Sequence, residues 1–389
     1  MVEWKELGEV ATLQRTKNKN HLTENAYSIT QAGLVPTKSF FKEKTNVTSS
    51  NTSGYYIVKK DWFVYSPSRI DVGSINYLKD EGPVIVSPID VVFSVDSSIC
   101  IPAYLLEYFF THKGRKDLLK NREGVEGMGR RNLPFDAIKG MLIPIPSLSE
   151  QKRIVGILDT FTDSIENLKQ QIAQRRKQYE HYREKLLRLE DITGVELTTL
   201  GETGSFIRGS GIQKSDFTED GFPCIHYGQI HTKYSLSATE SISYIDEKLY
   251  KKCKKASKGD VVLATTSEDA EGVAKPVVWL GNDDVAISGD AYIYHHNQNG
   301  KYMAHLFLSH RFFLFKIKHA TGAKVVRLSG DSMAKFELAL PSIEEQNRIV
   351  SILDTFEASI SNLEAQLEQR QKQYEYYRNK LLSFEKEEQ

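Results

Sequence analysis

The peptide KQYEHYREKLL, residues 177–187, returns almost unchanged as KQYEYYRNKLL at residues 372–382, an offset of 195 positions (372 minus 177). At the same offset, PSLSEQKRIVGILDTFTDSIENL (146–168) matches PSIEEQNRIVSILDTFEASISNL (341–363). A long internal repeat marks a structural unit that the chain builds twice, so this repeat sets the architecture of the protein.

Both copies of the repeat have the hydrophobic spacing of a coiled coil, with apolar residues at alternating steps of four and three. In the first copy they are Ile154, Leu158, Phe161, Ile165, Leu168, Ile172, Tyr179, Tyr182, Leu186 and Leu189, and the second copy repeats the pattern from Ile349 to Phe384. Arginine interrupts each seam once, at Arg175 and Arg370. We favour the interpretation that both guanidiniums turn out to water; the alternative is a polar marker that fixes register or binds a partner.

Each copy also carries a helix start signal. Ser147 precedes Glu150 by three residues, and Ser342 precedes Glu345 in the same way, which is the spacing of a capping box. The predicted helices are about 40 residues long, or roughly 60 Å at 1.5 Å per residue. Two such helices in one chain most simply pair with each other, and the spacing alone leaves a parallel and an antiparallel pairing open.

The segments between the helices have a different character. Residues 1–145 and 191–340 are rich in Val, Ile, Tyr, Thr, Gly and Ser, in short alternating runs bounded by turn residues, which predicts α/β domains with much strand. KKDWFVYSPSR (59–69) parallels KGDVVLATTSE (258–268), and YLLEYFF (104–110) parallels YMAHLFL (302–308). The predicted order is therefore domain 1–145, helix 146–190, domain 191–340 and helix 341–389, with both domains sharing one fold.

Composition narrows the class of protein. Lysine plus arginine and aspartate plus glutamate number 51 each, so the chain has no overall basic excess, and any nucleic-acid contact must come from local patches or companion subunits. Cys100, Cys224 and Cys253 are widely spaced, which fits a reducing cytoplasm and neither a zinc site nor a disulfide framework. The sequence shows no signal peptide and no membrane span, so we expect a cytoplasmic protein with no membrane partner.

Familiar catalytic motifs are missing from the sequence. There is no G-x-x-x-x-G-K-S/T, G-x-G-x-x-G, H-E-x-x-H or G-x-S-x-G, and no N-P-P-Y-like motif of a methyltransferase. A binding subunit is therefore favoured over a self-sufficient enzyme. The other alternative is a scaffold, in which the coiled coil joins two protein-binding domains.

The order of domain, PSLSEQKRIVGILDTF...KQYEHYREKLL, domain and PSIEEQNRIVSILDTF...KQYEYYRNKLLSF resembles the specificity subunit of type I restriction-modification enzymes over the whole chain. The helical signatures are closest, with His181 replacing an aromatic residue in the first copy. The resemblance implies two target recognition domains, each reading half of a split double-stranded DNA site, and an antiparallel coiled coil that sets the unread gap. Roughly 60 Å of helix, at about 3.4 Å per base pair, allows half-site centres at most about 18 base pairs apart.

The resemblance also implies partners. Two modification subunits would dock on this chain and methylate adenine with S-adenosylmethionine, and motor or restriction subunits would use ATP and Mg²⁺. This chain would itself be non-catalytic and hold no cofactor and no metal.

We predict DNA contacts from loop position and side-chain chemistry, because Arg pairs with guanine and Asn or Gln with adenine. In the first domain the predicted contacts are Tyr65, Ser66, Ser68, Arg69, Arg130, Arg131 and Asn132. In the second domain they are Arg208, Ser210, Gln213, Lys214, Gln229, His231, Thr265, Thr266, Lys324 and Arg327. The predicted partner-binding residues on the helices are Gln151, Arg153, His181, Arg183, Gln346, Arg348, Tyr376 and Arg378.

Overall fold

The computed structural model describes residues 2–31, 33–40, 51–120, 133–188, 196–322 and 324–384. Two compact units divide the chain: unit 1 comprises Met1–Lys169 and Ala365–Gln389, and unit 2 comprises Gln170–Glu364. Both divisions fall inside a long helix, so each long helix contributes one half to each unit. The four boundaries expected from the sequence stay a prediction.

The helices are mostly short, apart from the two that carry the repeat. In chain order they are α1 (Leu7–Val10), α2 (Thr37–Phe40), α3 (Pro102–Phe109), α4 (His112–Lys120), α5 (Phe135–Ile138), α6 (Leu148–Leu187), α7 (Leu200–Thr203), α8 (Tyr227–Thr232), α9 (Glu247–Lys252), α10 (Gly300–Phe307), α11 (His310–His319), α12 (Gly330–Met333) and α13 (Ile343–Leu381). Helices α6 and α13 have 40 and 39 residues, close to the predicted length. None of the described helices is long and apolar enough to span a membrane.

Unit 1 is built on a four-stranded antiparallel sheet in the order β2-β9-β6-β7. Its strands are β1 (Glu3–Glu6), β2 (Ala11–Gln14), β3 (Tyr27–Thr30), β4 (Gly33–Pro36), β5 (Tyr56–Val58), β6 (Phe63–Tyr65), β7 (Ile75–Tyr77), β8 (Val84–Val86), β9 (Val91–Val95) and β10 (Leu142–Ile145). The remaining strands form the pairs β1-β10, β3-β4 and β5-β8. The pair β1-β10 joins the two ends of the domain immediately before α6.

Unit 2 has the corresponding five-stranded sheet in the order β12-β21-β17-β19-β14. Its strands are β11 (Glu196–Thr199), β12 (Gly204–Arg208), β13 (Phe222–Ile225), β14 (Ser237–Ala238), β15 (Ser243–Ile245), β16 (Lys255–Ala256), β17 (Val261–Ala264), β18 (Thr266–Ser267), β19 (Lys275–Trp279), β20 (Val285–Ile287), β21 (Ala291–His296), β22 (Val326–Arg327) and β23 (Glu337–Leu340). A second sheet has the order β15-β13-β20-β16, and β11-β23 and β18-β22 are separate pairs.

The two units repeat one plan, which confirms the predicted fold class of two pseudo-repeated α/β domains with two long helices. Each unit has a terminal strand pair, a short helix, a central sheet and two consecutive helices in the same order; the sheet is antiparallel in unit 1, and in unit 2 only the edge strand β14 is parallel to its neighbour β19. Helices α3 and α10 each begin two residues before the matched segments YLLEYFF and YMAHLFL, which supply most of both helices. The two domains therefore share a fold although their sequences match only in short stretches.

Serine caps begin both long helices as predicted. The amide of Glu150 donates a hydrogen bond to Ser147 Oγ at 3.3 Å, and the amide of Glu345 donates to Ser342 Oγ at the same distance. The glutamate side chains do not complete the expected capping boxes. Glu150 accepts two hydrogen bonds from Arg153 instead, and Glu345 does the same with Arg348. The charged donor three residues later outcompetes the serine amide because charge-assisted bidentate pairs are stronger.

Aromatic residues fill the seam between the helices within each unit. In unit 1 Phe161 stacks with Tyr374 and Tyr377. In unit 2 Arg176 pairs with Glu364 and Tyr182 stacks with Phe356. Residue numbers rise on one helix as they fall on the other, so the coiled coil is antiparallel.

The seam arginines do not simply turn out to water, which corrects the interpretation favoured from the sequence. The Arg370 guanidinium lies 5.7 Å from the centre of the Phe161 ring, and that of Arg175 lies 5.9 Å from the centre of Phe356. Both side chains are half-buried. A guanidinium over an aromatic face gains a cation–π contact, which gives arginine a packing role in the seam.

Candidate nucleic-acid interface

The five-stranded sheet of unit 2 brings several loops to one edge. Strand β12 ends at Arg208, opposite Tyr292 near the start of β21, and β17 ends at Ala264, opposite Ala291. Because β21 is antiparallel to both neighbours, the loops after β12 and β17 meet the loop before β21. We call this side of unit 2 the Arg208 edge.

A pocket of about 280 Å³ opens at the Arg208 edge. It is lined by Arg208, Thr265, Thr266, Asp290, Tyr292, His319, Thr321, Arg327, Leu328, Ser329 and Ser332. The fold therefore brings together four residues that the sequence analysis predicted separately: Arg208, Thr265, Thr266 and Arg327. Two arginines beside hydroxyl and carboxylate groups offer both donors and acceptors, which the edges of base pairs require.

The two arginines of the pocket project from fixed positions. Arg327 is paired with Thr266 across strands β18 and β22, and its amide and carbonyl also exchange hydrogen bonds of 2.8 and 2.9 Å with Thr321. The Nε of Arg208 donates a 2.9 Å hydrogen bond to the carbonyl of Gly289. Both side chains are exposed at the surface. Less ordering entropy is lost on binding when side chains start from a fixed backbone.

Several residues of unit 2 that were predicted to contact DNA are instead buried or hydrogen-bonded within the unit. Thr265 and Thr266 are 5% and 9% exposed, which corrects their predicted role as contacts. His231 Nε2 lies 3.0 Å from the carbonyl of Thr266. Gln229 donates to Ser243 Oγ and accepts from the amide of His226. His231 therefore supports the loop after β17 at the Arg208 edge, whereas Gln229 connects the start of α8 to β15.

The other predicted contacts of unit 2 lie in loops. Ser210 is half-buried, and its Oγ accepts a 2.8 Å hydrogen bond from the amide of Lys254. Gln213 and Lys214 are exposed at a 3₁₀ turn (Lys214–Asp216). Lys324 is exposed just before β22. The two lysines and Gln213 remain predicted contacts, and Ser210 is better described as a loop anchor.

In unit 1 two predicted contacts are wrong because they lie in the core. Tyr65 is fully buried in the sheet, and its hydroxyl donates a 2.8 Å hydrogen bond to the carbonyl of Leu133. Ser66 is 7% exposed. Ser68 is half-buried and Arg69 is exposed, so these two remain candidates. Arg130, Arg131 and Asn132 lie outside the described residues.

Further residues of the pocket were not predicted from the sequence. Apart from the apolar Leu328, they are Asp290, Tyr292, His319, Thr321, Ser329 and Ser332. Asp290 stands just before β21, and Ser329 accepts a hydrogen bond from the amide of Ser332 to cap α12. A polar residue adjoining a buried strand was a usable signal for Asp290. The other five come from three stretches of the chain, at 292, 319–321 and 329–332, so only the folded structure shows that they share a pocket.

The predicted partner-binding role of Gln151 and Gln346 is wrong, because both side chains are 0% exposed. Gln151 accepts a hydrogen bond from the amide of Ile101 at 2.8 Å and donates to the carbonyls of Ile99 and Pro146, both at 2.9 Å. Gln346 accepts from the amide of Asn299 and donates to Gln298 and Pro341. Each glutamine thus fastens a long helix to the loop preceding α3 or α10.

The other predicted partner-binding residues differ in accessibility. Arg153 and Arg348 are exposed and form the glutamate pairs described above. His181 is exposed, and Tyr376 is 59% exposed. Arg378 is only 17% exposed and pairs with Glu107 at 2.8 Å, and Arg183 is 16% exposed beside Glu184. The first four remain available to a partner, whereas Arg183 and Arg378 are engaged within their own units, which corrects the prediction for both.

Buried His305 gives unit 2 a defined dependence on pH. Burial first, then Arg183 and Lys301, lower the pKa of His305 from 6.5 to about 3. Below pH 6.5 the unfolded chain binds a proton that the folded protein does not take up until about pH 3, so stability falls across this window. From pH 7 to pH 5 we expect this residue to cost about 2 kcal/mol, at 1.36 kcal/mol per pH unit below 6.5.

Urea unfolding of the wild type and His305→Gln at pH 7 and pH 5 measures this cost. The wild type is expected to lose about 2 kcal/mol more than the variant between the two pH values. Equal losses in both proteins would show that His305 does not titrate in this way.

Comparison with known proteins identifies the class. The model of the type I restriction modification DNA specificity domain matches the chain twice, at residues 1–175 and 193–371. A putative type I restriction enzyme specificity subunit of Haemophilus influenzae is 30% identical over 285 residues, which cover 66% of this chain and 68% of that protein. A type I restriction enzyme specificity subunit of Escherichia coli is 32% identical over 262 residues, covering 63% and 64%.

Solved structures show the same fold. The HsdS subunit of Thermoanaerobacter tengcongensis superposes with a TM-score of 0.50 at 16% identity, over 98% of this chain and 96% of that one. The type I S subunit of M. genitalium gives a TM-score of 0.53 at 13% identity, over 99% and 97%. A chain from a structure concerned with assembly of the type I restriction-modification system gives 0.63 at 16% identity, over 98% and 96%.

The protein is therefore a subunit of the class that recognises DNA sequence. Because the specificity-domain model covers most of the chain, the chain belongs to the type I restriction-modification DNA specificity family. The alternative of a scaffold joining two protein-binding domains is not favoured.

Proposed function

We propose that each of the two specificity domains reads one half of a bipartite site in double-stranded DNA. The observation that carries this proposal is the doubled match to the specificity domain, at 1–175 and 193–371, together with the repeated fold of units 1 and 2. In unit 2 the contacts come from the Arg208 edge. Arg208 and Arg327 are the base-reading candidates, because an arginine fork pairs with the O6 and N7 of guanine in the major groove.

The coiled coil has a separate role in this proposal. An unread gap between two half-sites needs a spacer of fixed length, and helices α6 and α13 supply 40 and 39 residues of continuous helix. At 1.5 Å per residue each is roughly 60 Å long. Aromatic stacking along the seam supports a spacer that keeps its register.

Methyl transfer and cleavage belong to partners in this proposal. Two modification subunits supply S-adenosylmethionine chemistry, and motor or restriction subunits supply ATP and Mg²⁺. Their docking surface includes Arg153, Arg348, His181 and Tyr376, which are exposed on the long helices. The balanced charge of 51 basic and 51 acidic residues supports sharing of phosphate contacts with such partners in the cytoplasm.

Reconstituted methylation tests this division of labour. The purified chain, the modification subunit and both together are incubated with duplex DNA and radiolabelled S-adenosylmethionine. We expect sequence-dependent label on adenine only when both proteins are present. Label transferred by this chain alone would contradict the non-catalytic assignment. Methylation by the modification subunit that does not depend on this chain would contradict its role in recognition.

A further inference from the structure

Each long helix docks its C-terminal half on a domain through three equivalent positions. In unit 1 the helical residues are Tyr374, Arg378 and Asn379 of α13, and in unit 2 they are Tyr179, Arg183 and Glu184 of α6. The domain supplies α3 and α4 in unit 1 and α10 and α11 in unit 2. We call these two sets of contacts docking site 1 and docking site 2.

Docking site 1 is organised by a carboxylate that belongs to the domain. Glu107 of α3 accepts a 2.8 Å hydrogen bond from the hydroxyl of Tyr374 and another of 2.8 Å from Nε of Arg378. Glu107 and Arg378 are only 18% and 17% exposed, so their attraction is weakly screened by solvent. The neutral Asn379 accepts a hydrogen bond from the amide of His112 at the start of α4.

Docking site 2 has no carboxylate at the equivalent domain position. His305 of α10 stands where α3 has Glu107; it is fully buried, and its Nδ1 lies 3.4 Å from the hydroxyl of Tyr179. Burial lowers the pKa of this imidazole to about 3, so it is neutral at physiological pH. A neutral ring cannot pair with the charge of Arg183.

The long helices supply the negative charge in docking site 2. Glu357 of α13 accepts a 2.8 Å hydrogen bond from the hydroxyl of Tyr179. Glu184 lies 3.4 Å from Arg183 and accepts hydrogen bonds of 3.1 and 3.0 Å from the amide of His310 at the start of α11. Two helical carboxylates thus perform the two tasks that Glu107 performs alone in docking site 1.

The exchange of charge is reciprocal between the two docking sites. At three pairs of equivalent positions, one site has a carboxylate and the other a neutral residue: Glu107 and His305, Asn379 and Glu184, and Thr162 and Glu357. The tyrosine and the arginine are the same in both sites. The C-terminal halves also differ in charge at Ala173 and Glu368 and at Arg176 and Gln371. Glu368 and Arg176, however, pair with Lys372 and Glu364 of the long helices themselves.

We propose that this reciprocal placement of carboxylates is a recognition surface by which each domain selects its own helix. The domain of unit 1 accepts asparagine directly after the arginine, at Asn379, in a helix end whose Glu375 also lies 3.3 Å from His112. The domain of unit 2 requires glutamate directly after the arginine, at Glu184. Exchanged helices would add carboxylates at positions 162 and 379 to the site that already has Glu107, and would remove both Glu184 and Glu357 from the site of Arg183. Like charges close together and an unpaired buried guanidinium are both destabilising.

Three full-length variants that keep composition and net charge test the selection. The helix exchange changes the helical residues only, as T162E, E184N, E357T and N379E. The domain exchange changes the domain residues only, as E107H and H305E. The combined exchange carries all six substitutions and recreates each docking site in the other unit.

Thermal unfolding should show whether the helical and the domain substitutions change stability independently or compensate for each other. We expect each partial exchange to lower the melting midpoint by about 5 °C or more, since about 1 kcal/mol shifts a domain of this size by roughly 2–4 °C. The combined exchange should return to within about 2 °C of the wild type. Unchanged midpoints in the partial exchanges, or a combined loss equal to their sum, would overturn the proposal.

Hydrogen exchange provides a second readout that locates the effect. The partial exchanges should speed amide exchange in the first turns of α4 and α11, and the combined exchange should restore protection there. If the partial variants do not fold, the combined variant decides alone. Cooperative unfolding near the wild-type midpoint supports helix selection, and an unfolded combined variant contradicts it.

Discussion

Replacing Gln151 by leucine is expected to lower the free energy of unfolding by about 3 kcal/mol. The glutamine side chain is fully buried and satisfies three backbone groups, the amide of Ile101 and the carbonyls of Ile99 and Pro146. Leucine has a similar volume but leaves these groups without their partner, at a cost of about 1–3 kcal/mol each. Urea unfolding followed by circular dichroism measures the loss.

The matched control is Gln174→Leu, at an exposed position of the same helix. Surface substitutions of this kind usually change stability by less than about 0.5 kcal/mol. If Gln151→Leu were as stable as the control and impaired only the binding of a modification subunit, Gln151 would be a partner contact after all, and the role assigned to it from the structure would be wrong.

Arg208→Ala and Arg327→Ala are each expected to weaken sequence-specific DNA binding of the assembled methyltransferase by about 1–3 kcal/mol and to relax preference at one base pair. Both side chains project from fixed positions at the Arg208 edge. Arg208 is held by its hydrogen bond to Gly289, and Arg327 by the pairing of β18 with β22. Because a base contact also carries sequence information, its loss differs from the loss of a phosphate contact. Binding titrations with the cognate duplex and with single-base variants measure both effects.

Lys258→Ala is the control for the arginine variants. Lys258 is exposed and stands just before β17, at the opposite end of the strand from the pocket. Removing its charge should leave sequence preference unchanged. If the arginine variants behaved like Lys258→Ala, the Arg208 edge would not read bases.

The long helices could be predicted from the sequence because their signals are local. The heptad seam, the serine caps and the 195-residue repeat all lie within short stretches of chain, and each has a direct structural consequence. The antiparallel direction followed from the resemblance to a family and not from the spacing. The aromatic partners of Arg175 and Arg370 lie on the other helix, so no local pattern predicted them.

The candidate site was predicted less well because it depends on strand pairing. Tyr65 is the last residue of β6 in unit 1, and Thr265 directly follows β17 in unit 2. The sequence does not show which side of each sheet is covered, so it did not show that both residues are buried. Gln151 had a usable signal: it lies three residues before seam residue Ile154 and so belongs to the buried face of α6. A polar residue at such a position more often fastens the fold than binds a partner.

The most direct test of two-domain recognition is single-molecule sequencing of methylated adenine in cells that express this chain with its modification subunit. We predict one motif of two short halves separated by a fixed gap, present only when this chain is present. The double variant R208A/R327A should change the half read by unit 2 and leave the other half intact. A simultaneous change in both halves, or no motif although the two proteins co-purify, would contradict recognition of one half-site by each domain.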